Sequence, residues 1–370
     1  MDARQRTPQP PDEPVLDSVV IGAGQAGLAA SYFLRQRGID HVVLDANPQA
    51  GGAWQHRWAS LSMADVHGVA DLPGSTAPTG SQRAANVVVP DYFEDYERWH
   101  HLPVVRPVRV ERVDSEGDLL VVRSPGRTWH TRTLVNATGT WTRPFVPYYP
   151  GIASFAGEQV HAAHYPGVEH FRGRRVLVVG GGASAVQLLG ELAPVTGTLW
   201  VTRRPPVWRD GFDAEAGLAA VTAVEERVRR GLPPASVVSV TGLALRPQEQ
   251  EAARLGAYDR QPMFERIEAE GVRWADGRFE PVDAILWATG FRPAVDHLAP
   301  LDLRSPAGGI ALVPVAGNVQ GATTAVRDPR VQLVGYGPSA STVGASRAGR
   351  QAALAVSRLL ASAQPSDLTA

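Results

Sequence analysis

Residues 19–30 read Val-Val-Ile-Gly-Ala-Gly-Gln-Ala-Gly-Leu-Ala-Ala, and this stretch decides the fold of the chain. The apolar, β-branched run at 15–21 predicts a strand that leads into a GxGxxG turn. A helix is expected over about 24–37, followed by a second strand at 41–44 that ends at Asp45. A strand, a glycine turn, a helix and a strand ending in an acid together predict the opening βαβ unit of a dinucleotide-binding domain.

Each glycine of this motif has a separate task in binding a diphosphate. Gly22 permits the tight turn, Gly24 lets the diphosphate approach the backbone, and Gly27 allows the helix to pack closely on the strand. The diphosphate is expected at the helix N-terminus, and Asp45 is expected to bond the ribose hydroxyl groups. Glycines that only make a turn are the alternative, but the flanking elements favour binding. The neighbouring expected contacts are Gln25, Ala26 and Ala46.

Residues 176–189 repeat the pattern, so the chain carries an internal duplication of the nucleotide-binding unit. The second motif is GxGxxA, and its expected contacts are Gly180, Gly182, Ala183, Ser184 and Ala185. The strand that follows ends in Thr202, Arg203 and Arg204 and carries no acid. Arginine at this position suits a 2′-phosphate, which favours NADPH over NADH. Two solvated surface arginines are the alternative.

The rest of the chain has a less regular pattern. Its aromatic, apolar and turn-forming residues predict a helix at 91–101, strands at 104–113, 119–122 and 129–135, and a connector at 144–165. Further along, the pattern predicts helices at 214–230, 248–255 and 343–360 and buried strands at 284–288 and 331–334.

The composition excludes several kinds of chemistry. The 370 residues include no cysteine, and all 36 lysine or arginine positions are arginine. Disulfides, zinc–thiolate sites, cysteine nucleophiles and Schiff-base lysines are therefore excluded. The net charge of −1 argues against nucleic acid or an anionic membrane as the main partner.

No targeting or membrane segment is expected from the sequence. No apolar run reaches the roughly 18 residues of a membrane span, and residues 1–14 have the composition of a disordered lead-in without a secretory signal. We expect a cytoplasmic protein that acts on a small molecule and needs no metal ion, with a homodimer as one option for its assembly.

Four segments beyond the glycine motifs resemble those of flavin-containing and Baeyer–Villiger monooxygenases. Residues 51–54, Gly-Gly-Ala-Trp, are similar to a GGxW segment. Residues 136–139 and 288–290 resemble the two ATG segments at which the chain passes between cofactor domains. Residues 155–166 are similar, without gaps, to the FxGxxxHxxx(Y/W) fingerprint of these enzymes. Together the resemblance covers most of residues 15–360.

The resemblance implies an α/β fold with two Rossmann-like dinucleotide-binding domains. A discontinuous FAD-binding domain is expected at 15–160 and 280–370, with an NADPH-binding domain inserted at 161–279. The cofactor contacts that the resemblance implies are Gly52, Trp54, Val110, Thr138, Gly139, Ala288, Thr289, Gly290, Gly335 and Thr342. Val110 would act from inside an apolar strand, and the last two from the opening of the final helix.

The resemblance also implies an activity. NADPH would reduce FAD, the reduced flavin would capture O₂ as a C4a-(hydro)peroxide, and this species would oxygenate a small organic substrate at nitrogen or sulfur or in a Baeyer–Villiger reaction. Two alternatives stay open: an NAD(P)H-dependent flavin reductase that passes electrons onward, and a non-catalytic redox-sensing flavoprotein. The absence of cysteine removes the disulfide reductases, the other large class with two such units.

Three residues are candidates for a part in catalysis. Asp65 falls, counted from Trp54, where Baeyer–Villiger enzymes carry an aspartate near the flavin, and a surface-loop aspartate is the alternative. His161 belongs to the fingerprint, which in the family couples the domains, so a direct acid–base role is the less favoured interpretation. Arg209 is a candidate for a positive charge that supports the peroxyflavin.

Overall fold

The computed structural model describes residues 14–66, 69–208, 214–235, 243, 245–316 and 322–363. In these ranges the strands are β1 (Leu16–Ile21), β2 (His41–Leu44), β3 (Val104–Val105), β4 (Arg112–Glu116), β5 (Leu119–Ser124), β6 (Arg127–Asn136), β7 (Glu158–His161), β8 (Arg175–Val179), β9 (Gly197–Val201), β10 (Arg266–Glu268), β11 (Gly271–Arg273), β12 (Phe279–Pro281), β13 (Ala284–Trp287) and β14 (Val331–Leu333). The helices are α1 (Gln25–Gln36), α2 (Ala85–Trp99), α3 (Ala183–Leu192), α4 (Ala214–Arg229), α5 (Pro247–Arg254) and α6 (Thr342–Ala363).

The first sheet is built around the opening βαβ unit. Its strand order is β3-β2-β1-β6-β5-β4, and β14 also pairs with β6. Strands β1, β2, β3, β6 and β14 run parallel, whereas β4 and β5 are antiparallel to their neighbours. The ten residues of β6 serve both parts, because its first half pairs with β5 and its second half lies between β1 and β14. This is the predicted Rossmann-like arrangement.

Helices on the first sheet explain why its central strands are apolar. Val19 and Val20 of β1 are fully buried, as expected for a parallel strand covered on both faces. Helices α1 and α6 cross in close contact, and a Cβ on Gly349 would lie 2.7 Å from the backbone nitrogen of Ala30. The last helix is thereby fixed against the first nucleotide-binding helix.

The second sheet carries the duplicated unit. Its order is β7-β13-β8-β9, with all neighbours parallel. Strand β7 comes from the fingerprint segment, and β13 lies between β7 and β8. A separate antiparallel sheet, β10-β11-β12, follows in the same half of the chain. The α/β class with two nucleotide-binding units is as predicted. The domain boundaries at 160 and 280 stay a prediction, and the second sheet contains residues from both sides of each boundary.

Several predicted elements differ from the structure. The predicted strand at 104–113 is wrong: it breaks into β3 and β4 with Pro107 between them, and proline cannot donate to a strand ladder. Val110 therefore lies between strands, half-buried, and not inside a strand as expected. Helix α2 begins at Ala85, six residues before the predicted start, and the predicted connector contains β7.

No helix in the described part of the chain combines the length and the hydropathy that a bilayer span requires.

The second glycine turn gives a direct test of the fold. A Cβ on Gly180 would lie 2.2 Å from the carbonyl oxygen of Ala288, and the φ of Gly180 is +139°. Gly182, two residues on, has ordinary φ and open space around its Cβ position. We expect Gly180→Ala to lower the free energy of unfolding by about 2–4 kcal/mol and Gly182→Ala to change it by less than about 1 kcal/mol. Urea unfolding of the ligand-free variants measures both, and equal effects would contradict this packing.

Candidate active site

The glycine turns of the two units are built in the same way. Gly22 has a φ of +103°, and a Cβ there would lie 2.6 Å from the carbonyl oxygen of Ala137. Gly180 meets the carbonyl oxygen of Ala288 in the corresponding manner. Ala137 and Ala288 are the alanines of the two ATG segments. Each ATG segment is therefore packed against the first glycine of its own motif, which explains why the two motifs occur together.

The N-termini of α1 and α3 are open to an anion. Gly24 and Gly182 are their N-cap residues, no side chain caps either helix, and neither first turn carries an acid. The first N–H groups of a helix have no partner within the helix and attract negative charge. A Cβ on Gly27 would overlap the carbonyl oxygen of Gly22 at 1.8 Å, which agrees with the close helix–strand packing expected there.

Asp45 fixes the first glycine turn. Its carboxylate is 4% exposed, and Oδ2 accepts the N–H of Ala23 at 2.6 Å while Oδ1 accepts the N–H of Asn47 at 2.8 Å. The carboxylate thus holds the loop in shape from the end of β2. Its bond to a ribose stays a prediction, as does a contact from exposed Ala46.

Gln25 links the first helix to a loop and to the last helix. Its Nε2 donates to the carbonyl oxygen of Ala70 and to Oγ of Ser346 on α6, each at 3.0 Å. Its Oε1 is buried without a hydrogen-bond partner. At the opening of α6, Gly335 has positive φ, and Thr342 is the first helical residue.

The end of β9 forms an arginine-rich corner. Thr202 is buried and donates through Oγ1 to the carbonyl oxygen of Arg204 at 2.6 Å. Arg203 and Arg204 are exposed, and neither forms an ion pair within the described ranges. Arg260, which the sequence analysis did not identify, donates from Nε to Oγ1 of Thr202 at 2.7 Å. The corner therefore presents three guanidinium groups.

Glu191 on α3 joins the second unit to the segment that follows the GGxW residues. Its carboxylate accepts from Nε1 of Trp58 and Oγ of Ser60, both at 2.8 Å, and from the hydroxyl of Tyr165 at 3.4 Å. Burial raises the pKa of Glu191 above its ordinary value. No local sequence pattern identifies Glu191, because its partners Trp58 and Ser60 lie 133 and 131 positions away.

Asp65 lies at the same contact between the two halves. Its side chain accepts from Oγ of Ser62 at 2.5 Å, and its backbone carbonyl accepts from Nε2 of Gln187 on α3 at 2.8 Å. Asp65 is half-buried and attached to the second unit. Its nearness to a flavin stays a prediction.

His161 uses both ring nitrogens to hold the backbone. Nε2–H donates to the carbonyl oxygen of Gly290 at 3.0 Å, and Nδ1 accepts the N–H of Ala163 at 3.0 Å. Burial lowers the pKa of His161, which favours the neutral ring. The imidazole therefore links the fingerprint to the second ATG segment, a positioning role.

The ATG threonines also serve the backbone. Thr138 donates through Oγ1 to the carbonyl oxygen of Ala294 at 2.6 Å, and Thr289 donates to the carbonyl oxygen of Phe145. These bonds fix the two segments at which the chain passes between the units.

Aromatic residues and one arginine fill the space where the crossings meet. Trp141, three residues after Thr138, stacks on Phe291 with ring centroids 4.9 Å apart. The guanidinium carbon of Arg57 lies 4.7 Å from the ring centroid of Trp141 and 5.5 Å from that of Trp54. Sequence analysis missed Arg57. Arg209, in contrast, lies outside the described residues.

The comparisons with known proteins agree with this architecture. Residues 19–232 match the family described as pyridine nucleotide-disulphide oxidoreductase. The chain is 38% identical to a flavin-containing monooxygenase from Stenotrophomonas maltophilia, covering 94% of this chain and 100% of that one with a TM-score of 0.80. It is 28% identical over 226 residues to a Baeyer–Villiger monooxygenase from Streptomyces coelicolor, 58% of this chain and 44% of that protein.

A third likeness concerns the fold alone. A bacillithiol disulfide reductase from Bacillus cereus has a TM-score of 0.69 at 16% identity, over 93% of this chain and 100% of that one. The match to the first curated relatives spans just over half of their length.

The chain belongs to the pyridine nucleotide-disulphide oxidoreductase family and, within it, to the group that resembles flavin-containing and Baeyer–Villiger monooxygenases. The predicted family and the predicted enzyme class, a flavin-dependent oxidoreductase, are confirmed. Although the family is described by disulfide chemistry, this chain has no cysteine with which to perform it.

Glu191 should be worth more to stability than an ordinary surface carboxylate. Glu191→Ala leaves Trp58 and Ser60 without their acceptor, and we expect it to lower the free energy of unfolding by about 2–4 kcal/mol. Glu169, an exposed partner of Arg172, is the matched control, and Glu169→Ala should cost less than about 0.5 kcal/mol. Chemical denaturation compares the two, and equal losses would refute the role given to Glu191.

His297 should make the protein acid-sensitive. It donates from Nε2 to Oδ1 of Asn136 at 2.7 Å, and burial lowers the pKa of His297 to about 4 from 6.5. Because the pKa of His297 is lower in the folded state than in the unfolded state, its contribution to the free energy of unfolding is complete above pH 6.5 and is lost as the pH falls towards 4. We expect it to reach about 2 kcal/mol, and His297→Gln should flatten the stability profile across this window.

The control for this prediction is His164→Gln, which alters an exposed histidine. It should keep the wild-type dependence of unfolding free energy on pH. Superimposable profiles for the wild type and His297→Gln would show that His297 does not titrate as described.

Proposed function

We propose that the protein is an FAD- and NADPH-dependent monooxygenase that uses O₂ to oxygenate a small organic substrate. The observation that carries this proposal is the 38% identity to a flavin-containing monooxygenase over the whole of that chain. The absence of cysteine supports it, because the electrons cannot pass to a disulfide within the chain. When bound, the flavin accepts hydride from the nicotinamide and provides the reducing equivalents for oxygen activation.

The first unit fits FAD. The open N-terminus of α1 offers N–H groups to a diphosphate, and the lack of a side-chain cap leaves them available. Gly52 adds no side chain against Gly24, where a Cβ would lie 2.8 Å from Cα, and in this proposal Trp54 borders the same approach. In this proposal Gln25 and Gly335 lie along the same edge of the sheet, where α1 meets α6.

The second unit fits NADPH. Helix α3 has an equally open N-terminus, and space around Gly182 is free of neighbouring atoms within 4 Å. Arg203 and Arg204 carry charges without acid partners in the described ranges, which suits a 2′-phosphate. Arg260 orients the end of the strand through Thr202.

The residues between the units would hold the two dinucleotides in a fixed relative position and would exclude water. Glu191 bonds across the contact between the units and His161 fixes the second ATG segment, so the nicotinamide and the flavin would meet at a fixed distance. The stacked rings of Trp141 and Phe291 close the crossing with apolar surface, which limits access of water to a reactive site. No protein nucleophile is required.

The choice of NADPH is tested at the arginine corner. We expect Arg203→Ser combined with Arg204→Ser to raise the KM for NADPH by about tenfold or more, because the 2′-phosphate loses charge-assisted bonds. The KM for NADH should change by less than about twofold. Steady-state oxidation of each nucleotide with O₂ as the acceptor gives both KM values without a known substrate, and anaerobic mixing followed by flavin bleaching shows whether either nucleotide reduces the flavin.

Arg266→Ser is the control, since that arginine is exposed in the antiparallel sheet and pairs with Glu268. It should leave both values unchanged. A lower KM for NADH than for NADPH in the wild type, or an equal rise of both KM values in the double variant, would count against the proposed NADPH site. A flavin that neither nucleotide bleaches would instead favour a non-catalytic redox sensor.

A reductase that passes electrons to an external acceptor is the second candidate. It is supported by the two open helix N-termini, those of α1 and α3, which a reductase would also use. It needs the same two dinucleotide sites but does not need to place oxygen into a substrate.

A further inference from the structure

Arg57 is a buried cation without a counter-charge. Its Nε is buried and has no hydrogen-bond partner, and the guanidinium forms no ion pair with any carboxylate of the described residues. By contrast, the guanidinium of Arg106, whose side chain is 17% exposed, is paired with Glu97 through two bonds of 2.6 and 2.8 Å. Of these two arginines, Arg106 is neutralised and Arg57 is not.

The carboxylates of Asp45 and Glu191 do not form ion pairs with Arg57. Asp45 is engaged with the backbone N–H groups of Ala23 and Asn47, and Glu191 is engaged with Trp58 and Ser60. Among the described residues, the faces of two indole rings lie against the guanidinium, and these supply no net negative charge. Because an unpaired buried charge is unfavourable, a ligand that brings an anion would be held here.

The position of Arg57 identifies the kind of anion. Arg57 follows the short 3₁₀ turn that begins at Gly52, and a Cβ on Gly52 would lie 2.8 Å from Cα of Gly24, the N-cap of α1. Asn86 donates from Nδ2 to the backbone carbonyl of Arg57 at 3.1 Å, which fixes the end of the turn whose first residue meets this helix end. Its second indole neighbour, Trp141, touches Phe291 beside the second ATG segment.

We propose that Arg57 is a diphosphate-binding residue that supplies a full positive charge to a bound dinucleotide, in addition to the N–H groups of the helix. The inference rests on the proposed function, since it assumes that dinucleotides bind both units. FAD and NADP(H) carry the same diphosphate, and Arg57 lies where the two chain crossings meet. The guanidinium offers two N–H edges to phosphate oxygens, while Trp54 and Trp141 keep its plane fixed.

The test uses the holoenzyme and variants of Arg57. Release of FAD on dilution is followed by flavin fluorescence at low and high salt, and NADP⁺ binding is followed by the change in flavin absorbance. We expect Arg57→Met to weaken one of these two affinities by tenfold or more and to reduce its salt dependence. Arg57→Lys keeps the positive charge but lacks the paired N–H donors of a guanidinium. Its affinity for the dinucleotide should fall between those of Arg57→Met and the wild type.

The two readouts distinguish the two sources of diphosphate. Faster FAD release with unchanged NADP⁺ affinity assigns Arg57 to FAD, and the converse assigns it to NADP(H). The control is Arg278→Met, because Arg278 also lies over an indole, that of Trp274, but is exposed and bonded to Gln261. It should change neither affinity.

The inference is overturned if both affinities in Arg57→Met and Arg57→Lys stay within twofold of wild type. Arg57 would then be a structural cation between two indoles. Should Arg57→Met fail to fold, the Lys variant and the salt dependence of the wild type decide the matter. Failure of the proposed function looks different, because the wild-type protein itself would then bind no flavin or no NADP⁺.

Discussion

One steric constraint recurs in both halves of the molecule. The carbonyl oxygen of an ATG alanine, Ala137 or Ala288, occupies the space that a side chain on the first motif glycine would need. Only glycine with positive φ can bring the strand end so close to the neighbouring strand. The turn then directs the helix N-terminus outward at the edge of the sheet, where an anion can approach. The helix positions, the crossings and the proposed cofactor sites follow from this contact.

Because the two units are similar, the residues that join them decide how the molecule works. Glu191 reaches from α3 to the segment after the GGxW residues, and His161 reaches from β7 to the second ATG segment. Glu191 is half-buried and His161 is buried, and their partners Trp58 and Gly290 lie far away in sequence. Glu191 holds the two units together, and a fixed arrangement of the units is what the proposed hydride transfer between two bound dinucleotides requires.

The sequence predicted the parts of the fold that depend on local pattern. Strand β2 has its predicted limits, and β1 and α1 differ from theirs by one residue at one end or both, because apolar periodicity and glycine turns are local signals. The short strands β10 to β12 were missed, since three residues give too little pattern.

The candidate site could be predicted only in part. The glycines, the ATG segments and the arginine corner belong to recognisable motifs. Arg57, Glu191 and Arg260 acquire their significance from partners remote in sequence or from the lack of one, which no local pattern shows. The structure adds that the carboxylate of Asp45 holds the glycine turn, while its expected bond to a ribose stays a prediction.

The most direct test of the central claim follows labelled oxygen. The purified protein with NADPH and ¹⁸O₂ is offered a panel of amines, sulfides and ketones, and products are examined by mass spectrometry. Our account predicts a product that gains one ¹⁸O atom, formed in step with NADPH oxidation. NADPH oxidation that yields only hydrogen peroxide, with electrons passing readily to a quinone or carrier protein and no label in any product, would contradict it.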